Sequence, residues 1–185
     1  MTLFIVLLFS IIFNLILFLN YKYFAKLNNV FDIPDNNRKI HNLPIPLLGG
    51  LILYINIILY LIVNYFFYAE SLTLFETSTQ LIIFTIVISL FFFLGRIDDK
   101  KDLNSLLKFF LMSLFIIISI IFDHEILIKN LVFSFTEKEI PLGGFAFFFT
   151  TLCFLLFINA FNMLDGINAQ AATYTLIIFI FLISQ

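Results

Sequence analysis

The sequence predicts an all-α, polytopic transmembrane helical bundle of five or six spans, with a short external β-hairpin near residues 131–141, formed as one integral membrane domain over residues 1–185. Three observations predict it. Hydrophobic residues make up 62% of the chain and charged residues 12%, against about 45–50% and about 25% in soluble globular domains, and the mean hydropathy is +1.11. The apolar residues fall in long blocks rather than alternating, so a water-soluble core of this size could not bury them. The basic residues crowd into alternate inter-block segments, as they do in multi-pass membrane proteins.

Six blocks approach the roughly 20 apolar residues that cross a bilayer: 3–19, 47–68, 81–94, 106–122, 145–161 and 172–184. The last is short. The 28 Phe residues and many Ile are no obstacle to helix in lipid, where each backbone group must be satisfied inside its own segment. Trp is absent, which leaves Tyr21, Tyr23, Tyr65 and Tyr68 as interface anchors. The first block lacks a basic leader and a small-residue cleavage site, so it reads as a retained helix and not a secretory signal.

Eight of the ten basic residues, Lys22, Lys26, Arg38, Lys39, Arg96, Lys100, Lys101 and Lys108, fall in or beside the first and third loops. The positive-inside rule therefore puts the N-terminus outside and loops one, three and five in the cytoplasm. The second loop carries Glu70 and Glu76, and the fourth carries Lys129 and Lys138. Within that fourth loop, Leu131-Val132-Phe133-Ser134-Phe135 alternates and Pro141-Leu142-Gly143-Gly144 reads as a turn, the pattern of a hairpin. The single Cys153 sits inside an apolar span, which excludes a disulfide or zinc framework. A net charge of −2 gives no argument for nucleic acid.

Chemistry concentrates on the cytoplasmic side. Gly95-Arg96-Ile97-Asp98-Asp99-Lys100-Lys101-Asp102 ends an uncharged run with three carboxylates and three cations. Adjacent carboxylates repel, and a pair such as Asp98-Asp99 is best tolerated with a cation beside it, which is how a divalent-metal phosphate site begins. In the first loop, Arg38, Lys39 and His41 are donors suited to phosphate oxygens; positive-inside bias alone also accounts for their charge. Pro44 and Pro46 hold that backbone extended ahead of Gly49-Gly50. In the fifth loop, Asn159, Asn162 and Asp165 recur every three residues along one side of a helix end. A polar stripe at membrane depth faces a cavity or a partner, or serves as interhelical hydrogen bonding. Asp165 lies before a glycine at the same cytoplasmic level as Asp98-Asp99, which suggests convergence.

Arg38-Lys39-x-His41 with Pro44-x-Pro46-x-x-Gly49-Gly50, then Gly95-x-x-Asp98-Asp99, then Asn159-x-x-Asn162-x-x-Asp165-Gly166-Ile167, stand in the order seen in the polyprenyl-phosphate N-acetylhexosamine-1-phosphate transferases. The chain resembles that family over roughly residues 30–172. The resemblance implies transfer of a sugar-1-phosphate from a UDP-sugar to undecaprenyl phosphate in a bacterial inner membrane, with release of UMP, as the first step of an envelope polysaccharide. It implies magnesium or manganese, and it leaves a homodimer open as the assembly. By position, Asp98 and Asp99 match the family's paired aspartates, which handle the metal or deprotonate the lipid phosphate, and Asp165 its later catalytic aspartate. Asn159, Asn162, Lys108, Arg38, Lys39 and His41 fall in the substrate-binding motifs.

Two departures stand out. Asn168 replaces a carboxylate usual in the third motif. A further Asp loop and a His-rich loop expected of the family would lie beyond Gln185, so the chain is expected to be the N-terminal part of a longer fold or a truncated member, inactive alone. Two other classes fit parts of the pattern. Asp98-Asp99-x-x-Asp102 also matches the magnesium motif of intramembrane prenyltransferases, which need a second such motif, and none appears by residue 185. A non-catalytic membrane subunit or pseudoenzyme is the third.

Overall fold

The computed structural model describes residues 2–28, 31–32, 45–67, 75, 77–133, 135, 138–164 and 170–183. It divides into two compact units, Met1–Lys108 and Phe109–Gln185.

The first unit opens with α1 (Thr2–Leu19), an uncharged helix, and the short α2 (Tyr21–Asn28). Asn20 separates them by folding back on α1: its backbone N–H and its Nδ2 both donate to the Ile16 carbonyl, at 3.1 and 2.9 Å. Lys26 in the last turn of α2 complements the helix dipole. Two-residue strands follow, β1 (Phe31–Asp32) and β2 (Ile45–Pro46), paired antiparallel. The sequence predicts the extended backbone at Pro46 but not the pairing, which brings together the two ends of segment 33–44. Then come α3 (Gly49–Phe67) and α4 (Ser78–Lys101).

Polar side chains fix the register among these apolar helices. Asn14 on α1 and Asn56 on α3 exchange two amide hydrogen bonds, both 2.9 Å, and each also donates to the carbonyl four residues back, Ser10 and Ile52, at 2.8 Å. Both N–H groups and the oxygen of each amide are thereby engaged, which a polar group at membrane depth requires. Between α3 and α4, the Tyr54 ring stacks on Phe92 with centroids 4.1 Å apart, and its hydroxyl lies 2.9 Å from Ser89 Oγ. Ser89 gives its own proton to the Thr85 carbonyl at 2.6 Å, so Tyr54 is the donor in that pair.

Helix α4 starts at a reciprocal cap, in which Thr77 Oγ1 accepts from Gln80 N and Gln80 Oε1 from Thr77 N. Its end corrects the sequence expectation. The apolar run stops at Leu94, but the helix continues to Lys101, so Asp98, Asp99, Lys100 and Lys101 belong to its last turns and not to a loop. Length explains this. Twenty-four residues rise about 36 Å at about 1.5 Å each, against an apolar bilayer thickness of about 30 Å, so roughly the last turn stands in water where charge is tolerated.

The second unit contains most of α5 (Ser105–Phe122), whose buried residues are Phe115, Ile116 and Ile120. A 3-10 turn at His124–Ile126, capped by the Asp123 side chain, leads into the expected hairpin: β3 (Asn130–Val132) pairs antiparallel with β4 (Glu139–Pro141). Gly143, at φ +50°, turns the chain into α6 (Ala146–Leu164), and α7 (Gln170–Ile183) ends the described residues. Thr150, fully buried on α6, accepts the Ile128 N–H at 3.0 Å and ties the hairpin base to that helix.

Among the described residues, three helices are long and apolar enough to cross a membrane, Ser78–Lys101, Ser105–Phe122 and Gly143–Met163, and Leu8–Leu19, Gly49–Val63 and Gln170–Leu182 are shorter apolar helices. Each of the six overlaps one of the blocks read from sequence, and Ser78–Lys101 runs past both ends of its block. Large apolar side chains on their outer faces, such as Phe18 (73% exposed) and Phe66 (72% exposed), form surface that water would not tolerate and acyl chains would. The chain is an all-α, multi-pass membrane protein.

Candidate functional site at the α4–α5 corner

The charged end of α4 and the start of α5 form a tight corner within the first unit. Asp102 closes α4 in the left-handed region (φ 48°), its N–H bonded to the Asp98 carbonyl at 2.8 Å. Short polar side chains are among the few that tolerate this conformation. Asn104 then caps α5, its Oδ1 accepting the Leu106 N–H at 2.9 Å.

Asp98 braces this corner with both carboxylate oxygens. Oδ1 accepts the Leu103 N–H at 3.0 Å and Oδ2 accepts from Lys108 Nζ at 2.9 Å. Each partner's side chain is 26% exposed, so the ion pair is only partly screened. Asp99, one residue on, is rotated about 100° around the helix and is exposed. Of the two adjacent carboxylates, Asp98 is thus built into the corner and Asp99 is the more exposed.

Asn159 lies on α6 in the second unit, where its Nδ2 donates to the Leu155 carbonyl at 2.8 Å, and Asn162, one turn on, is exposed. Asp165, Arg38, Lys39 and His41 lie outside the described residues. Among the described residues no three His, Cys, Asp or Glu side chains gather as a metal cage. Carboxylate oxygens are nonetheless the donors that magnesium takes, with one or two carboxylates supplemented by substrate phosphates and water. Asp99 fits that role.

Sequence reasoning found Asp98 and Lys108 separately and missed their pairing. One signal was available. A carboxylate near the C-terminus of α4 and an ammonium near the N-terminus of α5 each sit at the unfavourable end of a helix dipole, and each needs an opposite charge nearby.

Comparison with known proteins bears on this segment directly. The profile described as glycosyl transferase family 4 matches residues 81–184, more than half of the chain. The undecaprenyl-phosphate alpha-N-acetylglucosaminyl 1-phosphate transferase of Escherichia coli (strain K12) is 30% identical over 145 residues, covering 78% of this chain and 36% of the relative. The probable undecaprenyl-phosphate N-acetylglucosaminyl 1-phosphate transferase of Bacillus subtilis (strain 168) is 28% identical over 144 residues, 77% of this chain and 37% of the relative. The Yersinia pestis protein named as in Escherichia coli is 28% identical over 134 residues, 72% and 33%. The chain thus spans about a third of the length of the curated relatives it matches. No solved structure matches.

Proposed function

Because this chain belongs to glycosyl transferase family 4, we propose that the full-length protein transfers a sugar-1-phosphate, N-acetylhexosamine-1-phosphate, from a UDP-sugar to undecaprenyl phosphate. An oxygen of the lipid phosphate attacks the sugar-bearing phosphorus, the bond to UMP breaks, and a diphosphate-linked lipid and UMP result. The observation that carries this reading is the charged corner at the water-facing end of a span, inside the segment that matches the family. Lipid-borne phosphate and soluble nucleotide meet at that depth.

Both substrates are anionic, so catalysis is largely charge neutralisation and positioning. A divalent cation, magnesium or manganese, held through Asp99 would supply neutralisation of the phosphates. Lys108 provides a fixed cation, and Arg38, Lys39 and His41 are the first-loop phosphate donors. Asn159 and Asn162 are assigned to the substrate, and Asp165 to the later catalytic carboxylate. Eight of the ten basic residues precede residue 109 and flank loops one and three, which supports an inner-membrane orientation with the N-terminus outside and these loops in the cytoplasm.

The test is formation of a radiolabelled lipid from a radiolabelled UDP-N-acetylhexosamine in membranes containing the full-length protein, with undecaprenyl phosphate and magnesium. Lipid labelling that depends on all three supports the reading. No labelling by this protein, while an active membrane extract assayed in parallel labels lipid, would overturn it.

A further inference from the structure

Asp98 and Lys108 are each placed where their own helix disfavours them. A carboxylate in the last turn of α4 meets the negative end of that dipole, and an ammonium four residues into α5 meets a positive one. Their 2.9 Å contact cancels both penalties. Lys100 and Lys101 in the same last turn complement the α4 dipole, which leaves Asp98 and Lys108 as local conflicts of the kind that concentrate at functional positions.

The oxygens of Asp98 define what it can do. Oδ1 holds the Leu103 N–H at 3.0 Å and Oδ2 holds Lys108 Nζ at 2.9 Å. A divalent cation on either oxygen would share it with a bond that fixes the corner, and on Oδ2 it would sit beside an ammonium of like sign.

We propose that Asp98 is a positioning residue: it holds the α4–α5 corner and aims the Lys108 ammonium rather than ligating metal. This rests on the transferase reading above and deepens it. Asp98 acts through Lys108, whose role toward phosphate requires a fixed position, because lysine is a flexible point charge with no fork geometry of its own.

Three measurements on the full-length protein in detergent test it. In competitive acylation of lysines read by mass spectrometry, Asp98→Ala speeds modification of Lys108 relative to Lys100; an unchanged ratio overturns the pairing whether or not the protein is a transferase. In manganese titration followed by electron paramagnetic resonance, Asp98→Asn, which keeps an acceptor for Leu103 N–H, lowers affinity by no more than about a hundredfold, the range of a residue that acts through another, whereas a larger loss is the behaviour of a ligand. In UMP release, Asp98→Asn raises KM for the UDP-sugar by a larger factor than it lowers kcat, and Asp98→Ala adds little to the loss caused by Lys108→Ala. A kcat fall of about a thousandfold with KM unchanged, or losses that multiply in the double variant, would overturn it. Absence of UMP release from the unaltered protein would strike the transferase reading alone, with the acylation ratio still deciding the pairing.

Discussion

Replacing Asn56 with Leu removes a side chain of similar size and tests how α1 is held. The structure gives the terms. Two amide hydrogen bonds cross from α1 to α3, each 2.9 Å, and each amide keeps a second bond to its own helix. Interhelical hydrogen bonds in membranes average about 0.6 kcal/mol and reach about 1.7, so the two crossing bonds together are worth about 1–3 kcal/mol. Asn56→Leu also leaves the Asn14 oxygen and one of its N–H groups without their partner in apolar surroundings, which adds to the cost. Asn14→Leu/Asn56→Leu strands nothing and should lose less than the two single variants summed. Denaturing-detergent titration, followed by energy transfer between labels on α1 and α3, measures each corner of the cycle. Single variants within about 0.3 kcal/mol of the parent, or fully additive losses, would refute the view that this clasp retains α1 against the bundle.

Three further outcomes follow from the same geometry. Thr150→Val, at a fully buried side chain, leaves the half-buried Ile128 N–H unpaired and should lower stability by about 1–3 kcal/mol, with Thr150→Ser close to the parent, as thermal unfolding in detergent would read. Asp102 occupies left-handed backbone (φ 48°), so Asp102→Gly should stabilise by up to about 1 kcal/mol and Asp102→Val destabilise by at least that. Transfer should survive Asp102→Gly, whereas a prenyltransferase-type Asp-Asp-x-x-Asp site would lose it. In a Cys153→Ser background, a cysteine placed at position 36 should resist impermeant reagent applied from outside; ready labelling from outside would reverse the assigned topology.

The six apolar blocks were legible because transfer of backbone into lipid leaves helix as the only local solution, and the hairpin was legible from alternation between turn residues. The end of α4 was not. Hydropathy marks where lipid contact stops at Leu94, whereas the helix ends where Asp102 turns left-handed, and charged residues such as Lys100 and Lys101 prolong a helix in water. Two-residue strands at Phe31–Asp32 and Ile45–Pro46 carry no period to read. At the candidate site, sequence picked out Asp98, Asp99 and Lys108 by charge. It could not divide their work, because the Asp98–Lys108 contact spans ten residues through a turn whose geometry depends on one backbone conformation, and no helical or strand period links the two.

Asp99, the exposed carboxylate at the α4–α5 corner, is proposed to serve phosphate transfer. The most direct measurement is magnesium-dependent UMP release from a UDP-N-acetylhexosamine and undecaprenyl phosphate by the full-length protein and its Asp99→Asn variant, at matched membrane levels. The expected result is release by the parent and a fall of about a thousandfold or more in the variant, since loss of an interaction made in the transition state lowers kcat and kcat/KM together. Near-parental release by Asp99→Asn would contradict it.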